Sequence, residues 1–351
     1  MSATTPTERV ALDAMGGDNA PGEMVLGAIQ AAREYRMGVY LVGREGAIRA
    51  ELAKHDTAGL DLPIIHTDEM IEMDEHPANA VRRKKNASMT IALQQVRDGA
   101  ACGAVSAGNS GAMMAASLFT MKRIAGVDRP ALGGIFPTRD GICLVIDIGA
   151  NTDSRPEYLQ QFALMGSIYL ERIFNVRSPR VALLANGEEE SKGNQLVIDT
   201  HQLLKKSAST LGLNFIGNVE GRDIPAGGAD VIVCDGFVGN VVLKLSEGLA
   251  ETLLGLIRTE MTSSLPNKLA AAVLRPGLRK VGRRLDYAEY GGVPLLGVNG
   301  SAIVSHGRSN AKAIKNALRV ARQTAETGVA AAIADGLAKL GSREDRTQAE
   351  V

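Results

Sequence analysis

Short apolar runs recur along the chain, each ending at an acid, a serine, an asparagine or a glycine, with stretches of helical spacing between them. The first run shows the pattern. Val10-Ala11-Leu12 is too short and apolar for anything but a buried strand, Asp13 stands at its carboxyl end, and Gly16-Gly17 turns the backbone without a Cβ penalty. Met24, Val25, Ala28, Ile29 and Ala32 then repeat at helical spacing, with Asp18 or Asn19 to cap that helix and Pro21 suited to its first turn. Residues 39–42 predict a second strand ending at Gly43, and 62–65 a third ending at His66. Further strands are predicted at 103–106, 142–146, 181–184, 215–216, 231–234 and 302–305, with helices from Ser88, over about 195–207 and over about 310–340. Such alternation predicts an α/β fold, in which ligands sit outside the carboxyl ends of strands and helix amino-termini offer N–H groups to anions.

One segment, 247–292, breaks this rhythm. Leu249, Leu253, Leu256, Ile257 and Met261 form an apolar stripe, which Leu265, Leu269, Val273, Leu278 and Val281 continue past an expected break at Pro276-Gly277. It reads as a protruding helical hairpin. No acid lies between Met261 and Leu285, whereas Lys268, Arg275, Arg279, Lys280, Arg283 and Arg284 are basic. Two readings stay open: packing across a dimer interface, or an arm that meets an anionic membrane or an acidic protein. A second basic run, Arg82-Arg83-Lys84-Lys85, precedes the helix expected from Ser88 and reads as a solvated face or as a welcome for an anion.

Composition narrows the function classes. Of 351 residues 45% are hydrophobic, enough for a sizeable core, but aromatics make up 3% and tryptophan is absent, which argues against stacking platforms for bases. The formal net charge is zero, so no global field recruits nucleic acid. The three cysteines, Cys102, Cys143 and Cys234, lie in apolar runs and read as buried thiols of a reducing cytoplasm. Residues 1–8 are polar and no run of eighteen apolar residues occurs, so neither a signal peptide nor a membrane span is expected. The expected organisation is a disordered tail at 1–8, one α/β catalytic domain over 9–340 that includes the arm at 247–292, and a polar tail at 341–351.

The strand-end loops carry acids, asparagines, one lysine and many glycines, which makes a polar site suited to an anion but without a strong nucleophile. No Cys-x-x-Cys or His-Glu-x-x-His spacing marks a metal, and no Walker loop, Gly-x-Gly fingerprint or Gly-x-Ser-x-Gly elbow occurs. What remains is a site that binds a small anion and lets the substrates supply the nucleophile.

Ordered motifs then point to a family. Asp13-Ala-Met-Gly-Gly-Asp18, Arg82-Arg-Lys-Lys-Asn86, Ser106-Ala-Gly-Asn-Ser-Gly111, Asp128-Arg-Pro130, Asp147-Ile-Gly-Ala-Asn151, Lys192-Gly-Asn194, Phe215-Ile-Gly-Asn218, Asp235-Gly-Phe237, Tyr290-Gly-Gly292 and His306-Gly307 resemble the bacterial phosphate acyltransferases, or fatty acyl-phosphate synthases. The resemblance runs from about residue 9 to about residue 336. It implies transfer of a long fatty acyl group from acyl carrier protein to inorganic phosphate, giving acyl phosphate for phospholipid synthesis, with no cofactor and no metal. It also implies a Rossmann-like three-layer α/β/α sandwich of the phosphotransacetylase and isocitrate or isopropylmalate dehydrogenase type. The implied setting is a cytoplasmic homodimer, peripheral to the membrane. Its partners would be acyl carrier protein and, downstream, an acyl-phosphate-using acyltransferase, but not nucleic acid.

Chemistry and resemblance agree, because phosphate is partly dianionic near neutral pH and attacks a thioester carbonyl itself once aligned, neutralised and given donors for the tetrahedral oxyanion. The resemblance carries Lys192 and Asp235 over as catalytic, Lys192 holding phosphate or the oxyanion and Asp235 orienting Lys192 or handling a proton. Asp13, Gly16, Gly17, Ser106, Asn109, Ser110, Asn151, Asn194 and His306 are expected around the phosphate, pantetheine or thioester, with His306 either protonating the departing thiolate or serving as a cap. Arg82, Arg83, Lys84 and Lys85, with Arg275, Arg279, Lys280, Arg283 and Arg284, are expected to touch carrier protein or membrane. Three rivals stay in view: a phosphotransacetylase-like enzyme using acyl coenzyme A, a metal-dependent decarboxylating dehydrogenase of the same fold, and a non-enzymatic membrane-surface scaffold. A glycerol-phosphate acyltransferase is disfavoured, since none of the five histidines has an aspartate five places on.

Overall fold

The computed structural model describes the backbone of residues 9–349; residues 1–8 and 350–351, and the side chains of 283–285, 287 and 340–349, lie outside the described residues. The tail expected at 1–8 and the side chains of Arg283 and Arg284 therefore fall outside it. Eleven strands form one sheet: β1 (Val10–Asp13), β2 (Val39–Gly43), β3 (Ile64–His66), β4 (Gly103–Ser106), β5 (Ala131–Pro137), β6 (Ile142–Ile146), β7 (Arg180–Leu184), β8 (Asn214–Val219), β9 (Val231–Val233), β10 (Val293–Leu296) and β11 (Ser301–Val304). Helices α1 (Gly22–Tyr35), α2 (Glu45–Leu52), α3 (Pro77–Arg83), α4 (Ser88–Arg97), α5 (Ser110–Thr120) and α6 (Pro156–Phe174) accompany the first half. The second half carries α7 (Gln195–Leu211), α8 (Asp223–Ala226), α9 (Gly236–Thr262), α10 (Leu265–Leu285), α11 (Ala311–Glu326) and α12 (Val329–Ala349).

The sheet order is β3-β2-β1-β4-β11-β10-β5-β6-β9-β7-β8. Strands β3 to β11 of that order run parallel, β10 is antiparallel to both β11 and β5, β5 is antiparallel to β6, and β6, β9, β7 and β8 are again parallel. The two parallel blocks thus point in opposite directions across the β10–β5 pair. Both faces are covered. Alternation sends Val10 and Leu12 of β1 to the layer of α1 and α11 and sends Ala11 to that of α4 and α5; in β7, Val181 and Leu183 meet α6 and α7. Each fully buried Val or Leu of this kind contributes roughly 1.5–3 kcal/mol. This is the three-layer α/β architecture that the resemblance implied.

Several local expectations are corrected. Neither Asp18 nor Asn19 caps α1: Pro21 is the N-cap, without a side-chain cap bond. The single helix expected at 310–340 is two helices, because the chain turns at Thr327-Gly328, where glycine alone adopts φ 66° without strain. The stretch expected as a polar tail is helical to Ala349. The hairpin exists, but its turn lies between α9 and α10, and Pro276 sits inside α10 without breaking it. The cost of a proline there is the N–H that would have reached the carbonyl four residues back. Along the hairpin, Leu245, Leu249, Leu253, Leu265, Leu269 and Val273 are exposed. Among the described residues no helix is long and apolar enough to cross a membrane.

Candidate active site

Three neighbouring parallel strands, β1, β4 and β11, deliver Asp13, Ser106 and His306 to one edge of the sheet. Asp13 and Ser106 are buried, and the Ser106 hydroxyl donates to Asp13 Oδ2 at 2.7 Å while accepting from the N–H of Gly108 at 3.1 Å. Asp13 Oδ1 accepts from the N–H of Met15 at 3.1 Å. Gly16 closes over this pair: a Cβ there would stand 2.5 Å from Asp13 Oδ2 and 2.8 Å from the nitrogen of Gly108. Gly17, at φ 105°, lies against Ala107 and the carbonyl of Gly307, and the next N–H, that of Asp18, donates to the same carbonyl at 2.8 Å. The glycine turn, the Ser106 loop and the His306 loop are therefore one packed unit. His306 Nδ1 accepts from the N–H of Arg308 at 3.1 Å, a turn-holding role.

Burial is the largest influence on the Asp13 carboxyl and lifts it above the usual carboxylate range, while Ser88, Ser106 and the amides of Met15 and Gly16 pull it back. The folded chain then keeps this proton at pH values where the unfolded chain has released it. Stability therefore falls as pH rises from the ordinary value of 3.8 through the raised one and is level above it. Asp13→Asn, neutral throughout, should show a smaller decline of the urea midpoint across that window. Equal slopes for the two proteins would refute the assignment.

Asn109 and Ser110 open α5. The Asn109 side chain caps the helix through the N–H of Ala112 at 3.0 Å and gives its amide hydrogens to the carbonyls of Met73 and Glu75, so the group is committed to structure, while Ser110 is exposed. The basic run lies on the same side. Lys84 turns inward to Glu75 and the carbonyl of Met70, Arg82 stacks over Phe119, and Arg83 lies 3.8 Å from Glu75. Only Arg82, Arg83 and Lys85 of that run are exposed. Lys84, expected at a contact surface, is half-buried because its ammonium holds the loop that Asn109 also ties.

The second group stands at the carboxyl ends of β6, β9 and β7. Asp147 is fully buried, and its two oxygens take the N–H groups of Leu132, Gly149, Ala150 and Asn151 and the side-chain amide of Asn151. Asn151 also reaches the carbonyl of Pro130 and accepts from the N–H of Gly236, so it props the first turn of α9. Gly239 lets that turn lie on the Asp147 backbone, where a Cβ would stand 1.9 Å from the carbonyl oxygen. Asp235 is the N-cap: its Oδ1 accepts from the N–H groups of Phe237 and Val238, both at 2.9 Å. Asn194 does the same for α7 through Val197.

Lys192 lies on the loop from β7 to α7, exposed, its stem against Gly187, where a Cβ would come 2.7 Å from Lys192 Cγ. Among the described residues its ammonium makes no ion pair, with Asp235 or with any other acid, and Asp235 spends its Oδ1 on the first amides of α9. Two of the three acids before it are drawn elsewhere, Glu190 to Lys205 and Glu188 toward Arg222.

The predicted catalytic and substrate-binding residues thus fall into two groups, and α9 reaches from one toward the other. Asp235 begins it, and Glu251, about 24 Å further along at 1.5 Å per residue, pairs with Arg308 beside His306 at 3.6 Å. Sequence reasoning noticed Asp147 as a strand-ending acid but passed over it as a site member; the Gly-x-Asn that follows was the available signal. Among the described residues no cluster of His, Cys, Asp or Glu is placed to hold a metal. Burial pushes the Cys102 thiol up to about 11 and Cys143 to about 12, and lifts Cys234 well above its usual range, so none is a thiolate near neutral pH. Cys102 is only partly buried.

This α/β fold is shared with solved phosphotransacetylases. A solved phosphotransacetylase from Streptococcus pyogenes matches with TM-score 0.64 at 17% identity, covering 91% of this chain and 94% of that one. EutD phosphotransacetylase from Staphylococcus aureus matches with TM-score 0.59 at 18% identity, covering 90% and 94%. At such identities the likeness shows the fold alone. Sequence is more specific: residues 8–332 match the profile of the family described as fatty acid synthesis protein. Phosphate acyltransferases of Pelotomaculum thermopropionicum and Heliobacterium modesticaldum are 53% and 55% identical over 318 and 327 residues, spanning 91% and 93% of this chain and 92% and 96% of theirs. The chain belongs to the phosphate acyltransferase family.

Proposed function

We propose that this chain transfers a long-chain fatty acyl group from acyl-acyl carrier protein to inorganic phosphate. A phosphate oxygen attacks the thioester carbonyl, the tetrahedral oxyanion collapses with loss of the carrier thiolate, which takes up a proton, and acyl phosphate leaves. The observation that carries this reading is Lys192, an exposed ammonium without a carboxylate partner among the described residues, on the loop leaving the strand next to the one that ends at Asp235. Such a cation, with the amides of a helix start, suits a phosphate or an oxyanion.

The proposal extends to partners. Lys268, Arg275, Arg279 and Lys280 are exposed beside the apolar side chains of α9 and α10, a combination suited to acidic carrier protein and to a membrane surface, and the bare apolar stripe suits a second copy in a homodimer. Radiolabelled orthophosphate offered with palmitoyl carrier protein, and in parallel with acetyl coenzyme A, tests the reaction. Label in an acyl phosphate from the carrier-protein arm is expected; label from acetyl coenzyme A alone would favour the phosphotransacetylase-like rival, and none in either would end the proposal.

Asp235→Asn separates capping from charge. An asparagine oxygen caps as well as an aspartate oxygen, whereas alanine costs about 1 kcal/mol. Asp235→Asn is therefore expected to keep wild-type thermal stability yet lose turnover. Full activity in a folded Asp235→Asn protein would reduce Asp235 to a cap.

A further inference from the structure

The loop bearing Lys192 is held from behind by two buried polar side chains, Asn218 and His201. The N–H of Lys192 donates to the carbonyl of Glu189 at 3.0 Å, and the same oxygen receives a second bond, from Asn218 Nδ2, at 3.0 Å. Asn218 Oδ1 lies 2.9 Å from His201 Nδ1. Because the Asn218 nitrogen is spent as a donor, its oxygen accepts, and the assignment places the imidazole proton on Nδ1. Nε2 lies 3.8 Å from Glu190, whose carboxylate is held by Lys205. His201 is 4% exposed and Asn218 is 6% exposed, and the imidazole meets Phe215 edge-on with centroids 5.2 Å apart.

The backbone is shaped for this contact. Strand β8 shifts register against β7 between Val181 and Ala182, opposite Phe215 and Gly217, so that Ile216 has no counterpart, and Gly217 takes φ 98°. Strict alternation would put Asn218 on the face of Ile216, away from Phe215. The inserted residue turns it to the face of Phe215, where α7 presents His201, and sends Val219 to the opposite cluster. An asparagine so buried costs free energy unless bonded, and its bonds go to the histidine and to the Lys192 loop.

We infer that His201 and Asn218 are positioning residues for Lys192, acting through the Glu189 carbonyl. This rests on the reading of Lys192 given above. The test measures turnover of palmitoyl carrier protein with orthophosphate, and hydrogen exchange of residues 185–194, in Asn218→Leu, His201→Leu, His201→Asn, Lys192→Ala and the Lys192→Ala/Asn218→Leu double variant. Asn218→Leu and His201→Leu are expected to lower kcat by about 100-fold, the scale of a 1 Å misplacement, with KM for the carrier substrate little changed. His201→Asn, whose amide nitrogen falls near the position of Nδ1, is expected to recover most of that loss. The double variant should be no slower than Lys192→Ala alone, since both changes act on one group. Faster exchange over 185–194 in Asn218→Leu is expected whatever the chemistry. Additive losses in the double variant, or unchanged loop exchange in Asn218→Leu, would overturn the inference. A fully active Lys192→Ala would instead remove the reading of Lys192 and leave loop exchange to decide the positioning.

Discussion

Asp147→Ala is expected to destabilise the fold by about 4 kcal/mol, at the upper end for a single substitution. The carboxylate is the shared acceptor for the backbone N–H groups of Leu132 at 3.1 Å, Gly149 at 3.1 Å, Ala150 at 3.0 Å and Asn151 at 2.7 Å, and for Asn151 Nδ2 at 2.9 Å. Alanine leaves these donors without it, in a place where water does not reach the Asp147 side chain. Burial raises the Asp147 carboxyl above its usual range, and the Ala150, Asn151 and Leu132 donors oppose that rise. The sharper comparison is Asp147→Asn, which keeps the shape but turns one acceptor oxygen into a donor. Both oxygens face N–H groups, so either orientation of the amide sets donor against donor. The isostere should therefore lose most of what alanine loses, as read from urea midpoints at unchanged m. A midpoint for Asp147→Asn equal to that of wild type would show that the charge and its geometry carry no such weight.

How far this architecture is legible in the sequence depends on which strands are asked about. The central parallel strands announce themselves because burial on both faces makes them short continuous apolar runs, each followed by a glycine or a polar residue. Strands β5 and β10 do not. Ala131-Leu132-Gly133-Gly134 and Val293-Pro294 carry residues that count against a strand, and they pair only because the two blocks meet there. The glycines have a packing cause: a Cβ on Gly134 would stand 2.8 Å from Ile148 Cδ1, and one on Gly133 3.0 Å from Leu144 Cδ1. Without those strands the opposite direction of the two blocks, and hence the division of the site into two groups, could not be read.

The site was legible in its residue types but not in their tasks. The resemblance carries Asp235 over as catalytic and places Asn109 and Asn194 around the substrate, and in the structure each of the three caps a helix. Capping and ligand binding draw on the same side chains at the same place, because both answer the unsatisfied N–H groups of a helix start. Lys84 was one of four cations in a row until Glu75 and the Met70 carbonyl set it apart. Asn218 lay in a matched motif, but its partner His201, seventeen positions away on a helix, was one of five scattered histidines.

Lys192→Ala is expected to reduce acyl-phosphate formation by about 10²–10³-fold, or about 2.7–4 kcal/mol of barrier, the scale of one lost oxyanion donor. Stability should not follow. The side chain is exposed, its ammonium holds no carboxylate among the described residues, and the loop is fixed by the Lys192 backbone N–H, which alanine retains. Lys192→Arg is the informative companion: it keeps the charge but presents a wider, planar donor set, so it should restore binding of phosphate more than turnover. If Lys192 serves only as a point of charge for phosphate, the loss in Lys192→Ala will lie in KM for phosphate and a high phosphate concentration will rescue it. If it also meets the developing oxyanion, kcat falls at saturating phosphate, because that interaction is made fully only in the transition state. Neither change in a folded protein would mean that the cation on the β7–α7 loop plays no part in the reaction, and the acyl transfer proposed for this site would lose its main support.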